Sequence, residues 1–168
     1  IDFQERMLPH VGYHDEVVAG AVKMIRAARE MELAITYTEQ YPQGLGGTDP
    51  RIRAVVGDAL RFEKTTFSVC ADEALRRHIT SLMRPQVLIV GVETHICVQQ
   101  TALDLLGMQM RPFVLADAVG SRRASDRQVA LDRMSAAGVV VTTVEAAIYA
   151  LLHESGTELF KRILPIVK

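Results

Sequence analysis

Residues 87–107 change their hydrophobic period once, and that change limits the folds open to the chain. Val87 to Val90 is an apolar run without a polar break, the pattern of a strand buried on both faces. Gly91 ends the run. From Thr94 onward, Ile96, Cys97, Val98, Ala102, Leu103, Leu105 and Leu106 fall at helical spacing, and Gly107 suits the position just past a helix. A doubly buried strand needs helices on both sides, which calls for a parallel sheet. Cys97 is therefore expected in the first turn of a helix, just beyond the C-terminal end of a strand. In open α/β sheets that edge is where ligands bind. Free N–H groups and the helix dipole there favour a thiolate and are expected to lower the pKa of the thiol. A buried structural cysteine is the other reading, because free Cys is among the most buried residue types.

The rest of the chain repeats the alternation. Residues 1–4 read as the end of a strand whose start lies upstream, so the N-terminal strand is expected to be truncated. Asp15 is a candidate N-cap for a helix carrying Val17, Val18, Ala21, Val22, Ile25, Ala28 and Met31. Leu33 to Thr38 is a strand candidate, and residues 39–50 form a loop rich in Gly and Pro. Arg61 to Val69 reads as a strand, and Asp72 caps a helix ending before Pro85. Met110 to Ala116 is a strand, with Asp117 to Ser121 leaving its end. Ser125 to Gln128 resembles a capping box for a helix that Gly138 ends. Val139 to Thr143 is the last strand, followed by helices over 144–153 and 157–167. Right-handed βαβ crossovers then give a single three-layer α/β/α domain over residues 1–168, doubly wound on a mainly parallel sheet of about six strands.

Composition excludes some classes. At 168 residues, 49% apolar and 23% charged, the chain can bury a full core; its net charge of −1 gives no compositional sign of a nucleic-acid surface, although a local basic patch fits within a neutral total. No apolar run approaches the length of a membrane span, and no signal-peptide pattern is present. Two cysteines, Cys70 and Cys97, without metal-site spacing fit a reducing compartment, so an intracellular, cytoplasmic setting is expected. The incomplete N-terminus leaves organelle targeting open.

Three polar residues fall at strand ends: Asp2, Lys64 and Cys97. A parallel sheet gathers such ends on one edge. Cys97 is the natural nucleophile, Asp2 can take its proton and return it to a leaving group, and Lys64 can orient Asp2, hold it ionised and favour the thiolate. Taken singly, Asp2 can be a turn cap and Lys64 an exposed strand residue.

Together these segments resemble the isochorismatase-like cysteine hydrolases. The residues from Gly91 to Val98 are similar to the family's nucleophile segment, Asp2-Phe3-Gln4 to its first-strand motif, Glu63-Lys64-Thr65 to its lysine segment, and Leu115 to Ala118 with Ser121-Arg122 to its strand-five motif. Thr38 to Gly46 resembles the isochorismatase domain-containing subgroup. The resemblance implies an Asp2–Lys64–Cys97 triad and a thioester intermediate. It also implies a cis peptide between Val92 and Glu93, and an oxyanion hole from the N–H groups of Glu93 and Cys97. A small amide or acyl compound is the expected substrate. Homo-oligomers are common in the family, and the apolar terminal helix with Leu159, Phe160, Ile163, Leu164 and Ile166 can supply an interface or pack on its own sheet.

Departures narrow the expectation. The Asp-x-His metal motif of nicotinamidases is replaced by Thr38-Glu39-Gln40, so no metal and no other cofactor is expected. Glu93, where many relatives carry a small residue, either contacts the thiol or a basic substrate group, or faces solvent. Gln4, Tyr41, Phe67 and His95 are pocket candidates, although Phe67 lies three residues past Lys64 and on a regular strand would face away. A Cys97–His95 dyad is disfavoured, because residues two apart on a helix do not face each other. His10 and His14 stand at the mouth or on the surface. Arg122, Arg123 and Arg127 form a basic cluster, either a solvated helix start or an anion or nucleic-acid contact; nuclease chemistry is the least expected, since no metal-binding carboxylate set is assembled. A silent interaction protein on the same fold is the alternative to a hydrolase.

Overall fold

The computed structural model describes residues 1–168. Helix α1 (His14–Glu30) leads to β1 (Thr36–Gln40), a short helix α2 (Pro42–Leu45), α3 (Pro50–Val56) and β2 (Leu60–Lys64). Then come α4 (Glu73–Ser81), β3 (Gln86–Val92), a π-helical turn (Thr94–Val98) running into α5 (Gln99–Gly107), and β4 (Arg111–Gly120). The chain closes with α6 (Ala124–Ala137), β5 (Val140–Thr142), α7 (Val144–Leu152) and α8 (Glu158–Val167). Every strand pairing is parallel: β1 with β2, and β3 with β4 and β5 in that order.

Two sheets with five strands stand where a single sheet of about six was expected. Ile1 to Phe3 fill the seam between them without forming a full strand. On one side Asp2 N–H donates to Thr38 O on β1 at 3.1 Å. On the other, Ile1 N donates to Val90 O at 2.8 Å and Ile1 O accepts from Val92 N–H at 3.1 Å, both on β3. Ile1 and Asp2 thus join the two-stranded and the three-stranded sheet into one surface.

Alternation along the strands sends side chains into two cores. Leu115 and Ala118 of β4 join α1, α3, α7 and α8 in the larger core, with Phe3, Val18, Ile52, Val92, Ile148 and Ile163. Val114 and Val119 face the other way, with Ile89, Val98, Leu105, Leu131 and Met134. Three layers result, as the doubly buried Val87 to Val90 run requires. The apolar side of α8 is used internally: Ile163 and Val167 are buried, and Leu159, Phe160 and Ile166 pack on the larger core. No helix is long and apolar enough to cross a membrane.

Several boundaries differ from those expected, each for a visible reason. Leu33 belongs to a helix end rather than a strand, its N–H returning to Ala28 O. Strand β2 stops at Lys64 instead of Val69, because the chain bends so that the carbonyls of Thr66 and Phe67 reach the Lys64 ammonium. Strand β4 runs on to Gly120; a register shift between Ile89 and Gly91 lets Val119 and Gly120 pair with Gly91 and Val92. Asp15 makes no N-cap; α1 begins at His14, and Asp15 instead pairs with Arg51 at 2.6 Å. Helix α6 starts at Ala124, which puts Ser125 inside it and removes the expected capping box. Gly107 is the last residue of α5, with Gln109 taking the left-handed position (φ 61°). Asp72 and Gly138 act as read: Asp72 accepts from Leu75 N–H at 3.0 Å, and Gly138 ends α6 at φ 103°.

Gly91 sits where the seam is tightest. Its φ is 140°, and a Cβ there would lie 2.2 Å from Ile1 O. Gly91→Ala must open the seam or move β3, so it is expected to lower the free energy of unfolding by about 3 kcal/mol. Urea denaturation followed by circular dichroism measures this; a loss under about 1 kcal/mol would show that the seam yields easily.

Candidate active site

The edge formed by the ends of β1, β2 and β3 collects buried polar groups. Asp2 has a left-handed backbone (φ 55°), unusual away from glycine, and is 1% exposed. Its Oδ1 accepts from the Thr38 hydroxyl at 2.7 Å and its Oδ2 from Lys64 Nζ at 2.7 Å. The two side chains have no solvent contact. Lys64 Nζ also donates to Gln40 Oε1 at 2.7 Å, Thr66 O at 3.1 Å and Phe67 O at 3.3 Å. The parallel register places Gln40 opposite Lys64 and so supplies that acceptor.

Cys97 lies in the π-helical turn and is 4% exposed. Burial pushes its thiol up to about 12; the charge of Asp2 and a hydrogen bond to its side chain add to the rise, while Lys64 opposes it. The resting sulfur is therefore a neutral thiol, not the low-pKa thiolate expected from its place at a helix start. The dipole argument counts only the local turn, and here desolvation outweighs it. Asp2, Lys64 and Cys97 are thus brought to one edge.

The turn preceding Cys97 is held from the segment just after β4. The Val92–Glu93 peptide bond is cis. Glu93 neither faces solvent nor acts on the thiol. It is buried, and its carboxylate accepts from Arg122 N–H at 2.8 Å and from Arg122 Nε at 3.1 Å. Its own N–H donates to no protein group. The Thr94 hydroxyl, also buried, has no hydrogen-bond partner. His95 turns away from Cys97, with Nδ1 3.0 Å from Ser121 Oγ and Nε2 4.0 Å from Asp126.

The other candidates divide. Gln4 is fully buried and tied to backbone: Nε2 donates to Gln40 O and Gly46 O, and Oε1 accepts from Gln40 N–H. It pins the loop after β1 rather than facing a ligand. Tyr41 (56% exposed) and Phe67 (54%) meet Lys64 through backbone: Tyr41 N–H donates to Lys64 O at 2.9 Å, and Phe67 O accepts from Lys64 Nζ at 3.3 Å. His14 lies against Val11 O and His10 is exposed. Cys70 is in the second core, and burial pushes it up to about 11. Glu39 has both oxygens engaged, by Thr48 and Arg61; burial alone would raise its pKa, but these donors hold it below the usual carboxylate range. In the basic cluster, Arg122 holds Glu93 and Arg127 donates to the carbonyls of Val119 and Ala116, while Arg123 is exposed. Sequence reasoning missed Thr38, Gln40 and the Arg122–Glu93 pair. Register signals Gln40 once β1 is set beside β2; nothing local signals Arg122.

Comparison with known proteins gives one answer. The isochorismatase domain model matches residues 1–146. Isochorismatase domain-containing protein 1 of Salmo salar is 37% identical over 167 residues, covering 99% of this chain and 59% of that protein. The chain thus spans about three fifths of that relative's length. Isochorismatase domain-containing protein 2 of Pongo abelii is 39% identical over 171 residues, covering 99% of this chain and 80% of that protein. Among solved structures, the Mar1 ribonuclease of Caenorhabditis elegans superposes with a TM-score of 0.93 at 35% identity, covering 99% of this chain and 85% of that one.

Two outcomes follow from the geometry. Alkylation of Cys97 by iodoacetamide, with Cys70→Ser as background, is expected to accelerate about tenfold per pH unit from pH 7 to 10 without levelling. Asp2→Asn removes a charge that raises the thiol pKa, so Cys97 must react faster at each pH. A plateau below pH 9 would contradict the neutral resting thiol. Separately, Thr94→Val keeps the side-chain shape and deletes the unpartnered hydroxyl, so it is expected to stabilise the fold by about 1 kcal/mol in urea denaturation; a loss of stability would contradict the orphan assignment.

Proposed function

Because the chain belongs to the isochorismatase domain family, we propose that it is a cysteine-dependent hydrolase that opens a small amide or related acyl substrate through a thioester on Cys97. The observation that carries this reading is the solvent-free Asp2–Lys64 ion pair set against a buried thiol. A fold that needed only stability could replace such a pair with apolar residues at little cost, which disfavours a silent scaffold.

The reaction starts from the neutral thiol. Cys97 Sγ attacks the carbonyl carbon as its proton passes to Asp2, so free thiolate never accumulates. Charge develops on the carbonyl oxygen, and the N–H groups of Glu93 and Cys97 receive it. Collapse breaks the bond to the leaving amine, which takes the proton from Asp2. Water then adds to the thioester, giving a proton to Asp2; the acid departs, and the proton returns to sulfur. Lys64 balances and orients Asp2 throughout, with Thr38 fixing the second carboxylate oxygen. Tyr41 and Phe67 stand at the rim, where an apolar part of a small-molecule substrate can lie. The cycle uses only these side chains.

The Caenorhabditis elegans relative is named a ribonuclease, which makes phosphodiester cleavage the second reading. A thiol beside a carboxylate suits acyl carbon better than phosphorus, and two of the three clustered arginines already hold protein groups. One experiment separates the readings. Intact-protein mass spectrometry during turnover of a panel of small amides is expected to show an acyl adduct on Cys97. Cys97→Ser and Lys64→Ala are expected to lower hydrolysis by at least about 100-fold. RNA cleavage that survives Cys97→Ser, with no acyl adduct from any amide, would overturn the hydrolase reading.

A further inference from the structure

Glu93 carries four polar groups, and three are fixed. Its carbonyl accepts from Ile96 N–H at 3.1 Å and from Val98 N–H at 3.3 Å. Both carboxylate oxygens lie 3.1 Å from Arg122 Nε, and Oε2 also accepts from Arg122 N–H at 2.8 Å. The one group left without a protein partner is the N–H.

The grip comes from a rigid place. Val92 pairs with Gly120 in the β3–β4 register, so the two chains leave the sheet side by side and Arg122 arrives next to Glu93. Ser121 is anchored in turn: its carbonyl accepts from Gly12 N–H at 3.1 Å, and its hydroxyl lies 3.0 Å from His95. The turn itself has no side-chain cap at its start. The Glu93 side chain is 6% exposed, whereas that of Arg122 is 60% exposed. An exposed ion pair contributes little to stability, but here the anion is desolvated and its backbone belongs to the segment carrying the nucleophile.

We propose that Arg122 is a positioning residue. By holding the Glu93 carboxylate from the segment just after β4, it fixes the direction of the Glu93 N–H toward the carbonyl oxygen of an acyl group at Cys97. The proposal rests on the hydrolase reading and adds a residue that touches neither substrate nor sulfur.

Two reagents that reach the same sulfur test it. Acylation by p-nitrophenyl acetate builds negative charge on a carbonyl oxygen; alkylation by iodoacetamide displaces iodide at carbon and builds none. Acetyl is small and uncharged, so it offers the guanidinium nothing to bind. Both rates are measured on the full chain with Cys70→Ser as background. Arg122→Ala is expected to slow acylation about tenfold or more and to leave alkylation within about twofold. Both variants keep the backbone donor; Arg122→Lys also keeps the charge but loses the planar Nε contact, so it falls between the parent and Arg122→Ala and serves where Arg122→Ala does not fold. Unchanged acylation in either variant, with the parent protein acylated, would overturn the proposal. So would acylation and alkylation moving together, which is what loss of packing alone produces. A parent protein that is alkylated but never acylated would instead remove the hydrolase reading, and this proposal with it.

Discussion

Two opposite charges with no solvent contact stand 2.7 Å apart at the seam between two parallel sheets, and much of the surrounding chain is arranged to keep them there. Removing ions from water is costly, and attraction alone seldom compensates unless the remaining hydrogen-bonding capacity is also met. The Lys64 ammonium has four acceptors around it, and both Asp2 oxygens are used. These demands explain local features that are otherwise odd. The left-handed backbone of Asp2 joins with the close approach of Gly91 to Ile1, and β2 stops early so that two carbonyls can turn back on the ammonium. The seam belongs to neither sheet by strand length, yet the pair makes it the most constrained part of the fold.

The layers were legible because they rest on hydrophobic period. The doubly apolar Val87 to Val90 run, the helical stripe of α1 and the stop at Gly138 are local patterns whose physical cause is also local. The site was legible only in part. Asp2, Lys64 and Cys97 emerge from one topological rule, that a parallel sheet gathers its C-terminal strand ends on one edge. Thr38, Gln40 and Arg122 act through partners 24 to 36 residues away, and only sheet register brings them near. Glu93 shows the difficulty best. From its neighbours alone it is a carboxylate beside a thiol; in the fold it is the far end of an arginine contact from another strand.

The sign of the thiol shift carries a similar lesson. A helix start favours a thiolate, and that effect is visible from residue order. Desolvation is set by the elements packed over the turn, among them β4 and α6, and residue order does not reveal how completely they exclude water. The balance goes to burial. A carboxylate beside a neutral thiol can serve as a base in a way that it could not beside a preformed thiolate, and the proposed hydrolase would use both the shift and the ion pair.

That balance also bears on how the protein meets peroxides. Peroxides attack thiolates, and the first product, a sulfenic acid, leads on to species that cells do not repair. With Cys97 pushed up to about 12 and Cys70 to about 11, the resting chain offers oxidants almost none of the form they consume. In the proposed hydrolase, a bound acyl group and a waiting base would draw the sulfur into reaction, and the raised pKa would keep it from oxidants at rest.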